Sequence, residues 1–585
     1  MPWNPDDNSL PTIDRIIYRG MRQDLHSPEI SVLPVGVDTE AYTTGKMFMI
    51  GTSYGDIFTP EEFPHCFFTA KYRGSDFVSY NLKYEEGAFL QHLPADKLTQ
   101  LWKQGKTEHN GYRYNSIPKK LLTIIRGKNA VRFWDMASFF LTSLDKASEQ
   151  FLGKRKIEVD TKSFTPDYVS ANWSKLSEYC IYDAILVKEL ACSLIKHFEG
   201  FGVYPRKLFS TAYISLQYFR NTCHMPTVKR FYDHYPELLT FAMQSYNGGK
   251  FEVTEKGFDN YWEYDINSAY PSEIANLLDT DWCTVVESKK YQYQAEYGFI
   301  KCKFEIRTDI HSPIAIKEKY TNLYPIGTIT KVITKQEFDY LLELGIKPEI
   351  IKGYWLIFPI KKYPFRDEIN KLYAHKSNLD KVKESMKYHL VKTILNSLYG
   401  KFCQLIQVGD KYRAGPSWHP IYAAIITANT RIKVTRKQNE YPCIVATFTD
   451  SVISTEPLTF PCSKELGAWD KSETGPGVLL GSGVYQIGDK VRFRGFESRE
   501  KLTELINGVN ETITICKRRP LSWREIVAHG WDTEDINEFR EVERTLHVNF
   551  DHKRVWLNDW KTFLEVPTRK VQSVPRVMLP NGKIL

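Results

Sequence analysis

The chain has little that would let a cysteine framework or a membrane span carry its structure. Its 585 residues include 10 cysteines, but no two form a C-x-x-C pair, so neither a zinc ribbon nor a disulfide scaffold is signalled. Such scattered thiols are expected to be reduced and mostly buried, in a cytosol-like compartment. No apolar run approaches the roughly 20 residues of a membrane span, and the opening M-P-W-N-P-D-D-N lacks the basic and apolar regions of a signal peptide. Internal repeats and low-complexity tracts are also missing, which removes solenoids and biased tails. Nor does one sign of charge dominate. The 78 basic and 70 acidic residues leave +8, a balance that permits a polyanionic partner without demanding one. What is there is a 42% hydrophobic chain long enough for two to four domains. The 14% aromatic fraction, with 35 tyrosines, suits stacking on nucleobases and suits a large core equally. The expectation is a soluble, monomeric, intracellular protein with no membrane partner.

The most informative stretch is K-Y-H-L-V-K-T-I-L-N-S-L-Y-G-K-F, from Lys387 to Phe402. At helical spacing Lys392, Asn396 and Tyr399 share one face, while Ile394, Leu395 and Leu398 fall on the packing side. Gly400 reads as the stop, with Lys401 beside it at the negative end of the dipole. A cation, an amide and a phenol on successive turns suit a ligand with phosphate at one end and a flat ring at the other; an ordinary amphipathic surface helix is the competing reading. The pattern K-x3-N-S-x-Y-G resembles the fingers-helix motif of family B DNA polymerases, which implies two metal-binding carboxylates, one upstream and one downstream.

Three acidic segments precede it. Ser31 to Tyr42 is an apolar strand in which Asp38 and Glu40, two apart, point to one side; a solvated strand end is the plainer reading. Val78 to Leu90 offers Asn81 and Glu85, and Tyr179 and Asp183 stand i and i+4 on a helical pattern. Four acidic groups and a phenol suit hydrolysis assisted by two metal ions. In order and spacing the segments resemble the three exonuclease motifs of proofreading family B polymerases. One departure is that Glu85 and Glu86 follow Tyr84 where the family carries aspartate; the extra methylene could displace a metal by roughly an ångström, an error worth about a hundredfold in rate. Ser143-Leu144 with Ala147 resembles the family motif that contacts single-stranded DNA and the priming protein, although Ser143 also fits a helix N-cap. The run G-K-R-K from Gly153 reads as solvated charge.

The polymerase half follows. Tyr246-Asn247-Gly248-Gly249-Lys250 resembles the Y-x-G-G segment joining the two halves in this family, where glycines would let backbone amides approach phosphate; a hairpin with N-G at its tip competes. In W-E-Y-D-I-N-S-A-Y-P an aromatic strand delivers Asp265 to its end and Tyr270-Pro271 turns the chain away. It resembles D-x-x-S-L-Y-P, with Ala269 for leucine, and implies that Asp265 binds metal and Tyr270 packs under the sugar, excluding a 2′-hydroxyl. Residues 275–365 look strand-like, compatible with the first insertion of the protein-primed subgroup. Lysines 371, 376, 381, 383, 387 and 392 could form an electrostatic funnel. Only 20 residues separate Gly400 from a helix at Ile421, too few for that subgroup's second insertion in full. Asp450, in I-V-A-T-F-T-D-S-V-I-S-T, sits on a predicted hairpin. Against the family's Y-x-D-T-D-S, Ala446 replaces the tyrosine and Phe448 the first aspartate, leaving Asp450 as the implied ligand and Ser451 beside it. Tyr485 matches the tyrosine of K-x-Y, with Gly483 at the lysine position. Lys490, Arg492 and Arg494 alternate and so face one side, as a primer-phosphate stripe would or as an edge strand guarded by charge would. Lys517-Arg518-Arg519 could extend it.

The resemblance thus implies a multidomain α/β and α+β protein, an RNase H-like 3′–5′ exonuclease followed by a right-hand polymerase. The expected division is exonuclease 1–200, linker and start of palm 201–260, palm 261–475 with an insertion at 275–365 and fingers at 366–402, and end of palm with thumb at 476–585. It implies DNA-dependent DNA synthesis, protein-primed, for a viral or mobile-element genome, in the host cytoplasm if viral. Mg²⁺ or Mn²⁺ is implied, two ions at each site, held by Asp265 and Asp450 and by Asp38, Glu40 and Asp183. The implied partners are primer–template DNA, dNTPs and a terminal priming protein. Two alternatives remain open: a DNA-primed plasmid or repair polymerase, and an exonuclease whose polymerase half has degraded into a DNA-binding platform.

Overall fold

Strand β1 (Pro34–Ala41) is buried along its whole length. The computed structural model, which describes residues 11–20, 31–318, 321–495, 502–506, 512–558 and 570–585, sets it inside an eight-stranded sheet. Met47–Thr52 runs antiparallel on one side of β1, and β2 (Asp76–Ser79) runs parallel on the other, itself parallel to β3 (Asn129–Asp135). Helix α1 (Leu82–Leu90) leaves β2, and the long helix α2 (Trp173–Glu199) lies across the sheet. Its close approach depends on Gly36: a Cβ there would meet the carbonyl oxygen of Ala184 at 1.8 Å. Without side chains between them, strand and helix bring their acidic residues to one place.

Helix Pro236–Ser245 leads through Tyr246–Gly249 directly into strand β4 (Lys250–Val253). The hairpin reading of that segment is therefore wrong: the glycines join a helix to a strand. β4 and β5 (Glu255–Ile266) enter a nine-stranded sheet. Tyr270 and Pro271 do not turn the chain away but open helix α3 (Ala269–Ala275); the turn falls on Ser268, at φ 49°, and proline is tolerated where a first-turn N–H has no partner to lose. The stretch from Thr284 to Ile357 forms four strands of a separate five-stranded sheet, completed by Val577–Met578. Helices α4 (Arg366–Asn378) and α5 (Ser385–Ser397) pack together. Leu398 stays helical and Tyr399–Phe402 form another turn, so Gly400 lies inside helical backbone and is not the stop. Leu405–Val408 and Lys411–Ala414 make a short hairpin before helix α6 (Pro420–Glu440). Ile16–Ile17 pairs with that hairpin, so part of the expected polar lead-in is structured; residues 1–10 and 21–30 lie outside the described residues.

In the nine-stranded sheet β6 (Ile444–Thr449) and β7 (Ser451–Ser454) form the expected hairpin around Asp450. They lie between β4 and β5, and β8 (Trp469–Gly481), β9 (Val484–Ile487) and β10 (Lys490–Phe493) follow on the other side of β5. Last come β11 (Thr512–Pro520) and β12 (Phe539–His547), a long antiparallel pair. Between them, Leu521, Trp523 and Ile526 of helix α7 (Trp523–His529) and its flank, with Ile536, pack into the core of the first sheet beside Val35, Phe77 and Phe89. All ten cysteines are free, but only four are buried, fewer than expected; Cys192, Cys462 and Cys516 sit on exposed positions. Among the described residues no helix is long and apolar enough to cross a membrane.

Candidate active sites

The first site lies where β1, α1 and α2 meet. Asp38, Glu40, Glu85, Tyr179 and Asp183 all line one cavity of about 560 Å³. All five are buried, which overturns the solvated-strand-end reading of Asp38 and Glu40. Asn81 also lines the cavity. Its backbone sits at φ 66°, with its N–H donating to Asp135, a turn that starts α1 and aims Glu85 inward. Glu86 points elsewhere, toward Ser116 and Arg524. Ser143 caps its helix by accepting from the Lys146 N–H, and Leu144 borders the cavity. Burial, then Asp183, pushes Asp38 up to about 7, and burial followed by Asp38 raises Glu40 and Glu85 far above the carboxylate range. Asp183 is raised too, by burial against the pull of Lys156.

Lys156 is a residue the sequence reading missed. Within G-K-R-K, Lys154 and Arg155 do form exposed pairs with Glu189 and Glu149. Lys156 instead turns inward, pairs with Asp183 and lies over the Tyr179 ring. Arg518 and Phe539, from β11 and β12, close the far side of the cavity. One ammonium does not balance four buried carboxylates, and Glu85 Oε2 and Asp183 Oδ1 are buried with no hydrogen-bond partner among the described residues. Such orphaned oxygens cost about 1–3 kcal/mol each or more when charged, so the arrangement fits hard, oxygen-preferring divalent cations. Cys180 is near Asp38 and Glu40, and burial, then Asp38, raises its thiol above the ordinary range. Millimolar Mg²⁺ or Mn²⁺ is accordingly expected to raise the melting temperature of the chain, by the equivalent of about 2.7 kcal/mol at a hundredfold excess over Kd. The Asp38→Ala/Asp183→Ala variant should show a smaller gain in differential scanning fluorimetry; an equal gain in both would remove the cations from this cavity.

The second site is at the end of β5. Asp265 pairs across to Ser451 of β7, and Ser451 to Phe448 of β6, so Asp450 at the hairpin turn stands beside Asp265. The Ile266 N–H donates to the Asp450 carbonyl at 2.9 Å, fixing the two motifs together. Both line a cavity of about 510 Å³. Burial, then Asp265, pushes Asp450 up to about 6; burial, then Glu263, raises Asp265. Two neighbouring carboxylates, both raised by burial and by an adjacent acid, suit a shared cation. Thr449 holds φ 62° at the turn, and Gly249 presses on it: a Cβ there would lie 2.6 Å from Thr449 Cγ2. The glycine thus serves close packing against the catalytic-turn candidate. Gly248 has open space around it apart from Asn322, and its carbonyl accepts from Arg431.

Beside this cavity the Tyr270 and Tyr399 rings are 4.5 Å apart, and the Tyr399 and Tyr246 hydroxyls are 2.8 Å apart. Tyr246, read as a DNA contact, is therefore engaged within the protein. Lys392 and Asn396 are exposed on the same face of α5, as the periodicity required. Lys376 of α4, one of the six lysines of the expected funnel, donates its ammonium to Ser268 Oγ at 3.0 Å. Burial, then Lys392 and Lys381, pushes it down to about 8. Lys490, Arg492 and Arg494 share the Asp265–Asp450 cavity, although β10 is also the sheet's edge. The Ser451 hydroxyl is turned back toward the Phe448 carbonyl at 3.4 Å. Tyr485 is buried and its hydroxyl donates to Glu263.

The family model for DNA polymerase type B, organellar and viral, matches residues 154–413, which include Asp183, Asp265 and the Lys392–Tyr399 face but not Asp450. A DNA polymerase of Acidianus bottle-shaped virus (isolate Italy/Pozzuoli) is 29% identical over 301 residues, 46% of this chain and 43% of that protein. A primer-independent DNA polymerase PolB of Escherichia coli is 22% identical over 285 residues, 44% and 32% of the two chains. The chain spans less than half the length of either relative. Among solved structures, phi29 DNA polymerase complexed with primer-template DNA and incoming nucleotide substrates superposes with a TM-score of 0.62 at 18% identity, over 88% of this chain and all of that one. Over most of its length the chain therefore has the fold of phi29 DNA polymerase, and its middle, residues 154–413, is similar to the type B DNA polymerases of the organellar and viral kind.

Proposed function

We propose that the chain is a DNA-dependent DNA polymerase with a 3′–5′ exonuclease, replicating a viral or mobile-element genome. The observation that carries the reading is the meeting of Asp265 and Asp450 beside the Tyr270–Tyr399 ring pair. Asp265 and Asp450 would hold Mg²⁺ or Mn²⁺, two ions, as would the first site formed by Asp38, Glu40, Glu85 and Asp183. Bound there, the cations supply activation of the attacking oxygen and neutralise charge on the leaving group. The chain's own residues orient the reactants. Lys376 and Lys392 receive the triphosphate, Asn396 and Tyr399 line the nascent base pair, and Tyr270 packs under the sugar. At the other site Tyr179 orients the attacking water and Lys156 holds Asp183 in place. The primer 3′-hydroxyl attacks the α-phosphate of a dNTP and pyrophosphate leaves.

Initiation on a terminal protein is part of the proposal, supported by the resemblance to the protein-primed subgroup and by the printed name of the primer-independent relative. The short hairpin Leu405–Ala414 in place of a long second insertion favours limited strand displacement without helpers. The division of the chain into nuclease, palm, fingers and thumb near residues 200, 260, 366–402 and 476 is proposed with it.

The test is a 3′-recessed, end-labelled primer–template with Mg²⁺, with and without dNTPs. Extension with dNTPs and shortening without them is expected. Shortening with no extension would leave only a nuclease. For the triphosphate cradle, kcat/KM for dNTP is expected to fall as pH rises through about 8, because the Lys376 amine loses its proton there. Lys376→Arg, charged throughout, should flatten that limb; an unchanged profile would remove Lys376 from the cradle.

A further inference from the structure

Glu263 carries no motif that would mark it in the sequence. It lies two residues before Asp265 on β5, so its side chain is on the same side of the sheet, and it lines the Asp265–Asp450 cavity. Only 4% of the side chain is exposed. A buried carboxylate inside a strand is costly unless paired, and an apolar β-branched residue would satisfy the strand. Here both oxygens are engaged: Oε1 accepts from the Tyr485 hydroxyl at 3.1 Å, and Oε2 pairs with the Lys490 ammonium. Two other strands, β9 and β10, thus deliver a phenol and a cation to one acid.

The surroundings explain why that acid sits on β5. Phe448 takes the place on β6 where an acid could stand, and its ring stacks on Tyr485 at 5.0 Å and 14°. Gly483 cannot carry a side chain into the cavity, because its Cβ position lies 3.1 Å from the Arg494 side chain, and its φ is +79°. Of the cations lining the cavity, Lys490 is the one that Glu263 holds. A lysine alone is a mobile point charge on four methylenes; tied to Glu263 it is held in one place.

We propose that Glu263, braced by the Tyr485 hydroxyl, is a positioning residue that fixes the Lys490 ammonium as a receptor for the terminal phosphodiester of the primer strand. The proposal rests on the polymerase reading above. Lys490 neutralises the phosphate that Asp265 and Asp450 would repel, while the triphosphate is received by Lys376 and Lys392 on other elements.

The test uses the full chain and a fluorescent primer–template in Ca²⁺, followed by anisotropy, with single-nucleotide incorporation in Mg²⁺. Glu263→Gln and Lys490→Gln are each expected to weaken primer–template binding about tenfold, the scale of one charge-assisted contact, with KM for dNTP within about twofold of the parent. The double variant should be no worse than Lys490→Gln, since the glutamate acts through the lysine, and Lys490→Arg should recover most binding. Tyr485→Phe removes a single hydroxyl and must also weaken primer binding, which keeps the test open if Glu263→Gln melts early. Unchanged primer affinity in Glu263→Gln, or losses that simply add in the double variant, would overturn the proposal. A parent that extends no primer but shows this binding pattern would sink the polymerase reading and leave the receptor; extension without the pattern would sink the receptor alone.

Discussion

Replacing Asp450 with asparagine is expected to lower nucleotide incorporation about a thousandfold, the equivalent of about 4 kcal/mol of transition-state stabilisation, while shortening of a 3′ end continues. The amide keeps the size of the side chain and leaves the turn intact, in which the Asp450 N–H donates to the Phe448 carbonyl at 2.8 Å and Thr449 holds its positive φ. What is lost is one of two charges that meet at the end of β5. The measurement is single-turnover incorporation by parent and variant on the same primer–template, with degradation followed in the absence of dNTPs. Incorporation within about tenfold of the parent would remove Asp450 from the chemistry. Loss of both activities together would point to a disturbed fold.

The second large effect is on stability. Arg431, on α6, is fully buried. It pairs with Glu337 at 2.7 Å and donates to the carbonyls of Asn247 and Gly248 at 2.7 and 2.9 Å. One side chain therefore joins α6, the separate five-stranded layer and the loop that presses Gly249 against Thr449. Arg431→Met leaves Glu337 charged and unpaired and three carbonyls short of a donor, counting that of Pro313. A loss of about 3–5 kcal/mol is expected, seen as a lower denaturant midpoint with an unchanged slope. Glu337→Gln added to Arg431→Met should recover part of the loss, because the stranded charge is gone. A midpoint equal to that of the parent would show that water replaces the guanidinium.

Much of this site could be read from local pattern. The period of α5 put Lys392, Asn396 and Tyr399 on one face, and the alternation of β10 put Lys490, Arg492 and Arg494 in one cavity. Asp38, Glu40, Glu85, Tyr179 and Asp183 converge as their segments implied, but their burial was not legible. A short D-x-E run looks the same at a wet strand end and under a helix. What decides between them is Gly36, which admits α2, and that contact joins residues about 150 positions apart. Lys156, the particular place of Lys376 among the six candidate lysines, Arg431 and Glu263 share this reason for being missed. Each is an ordinary charged residue whose partner lies on another element: Asp183, Ser268, Glu337 and Lys490. Tyr246–Lys250 failed differently. Asn-Gly favours a hairpin locally, and the preceding helix and the sheet partner β6 overrode that preference.

The packing of Leu521, Trp523, Ile526 and Ile536 among Val35, Phe77 and Phe89 has a consequence during synthesis. The first sheet is complete in sequence by Asp135, yet part of its core is filled by residues that leave the ribosome nearly four hundred positions later. At about 5–20 residues per second, the apolar face waits for tens of seconds. The N-terminal region would spend that time as a partly formed intermediate, open to proteases and chaperones. Translation stalled before Leu521 would then yield a chain whose N-terminal region, though fully translated, is the part most easily digested.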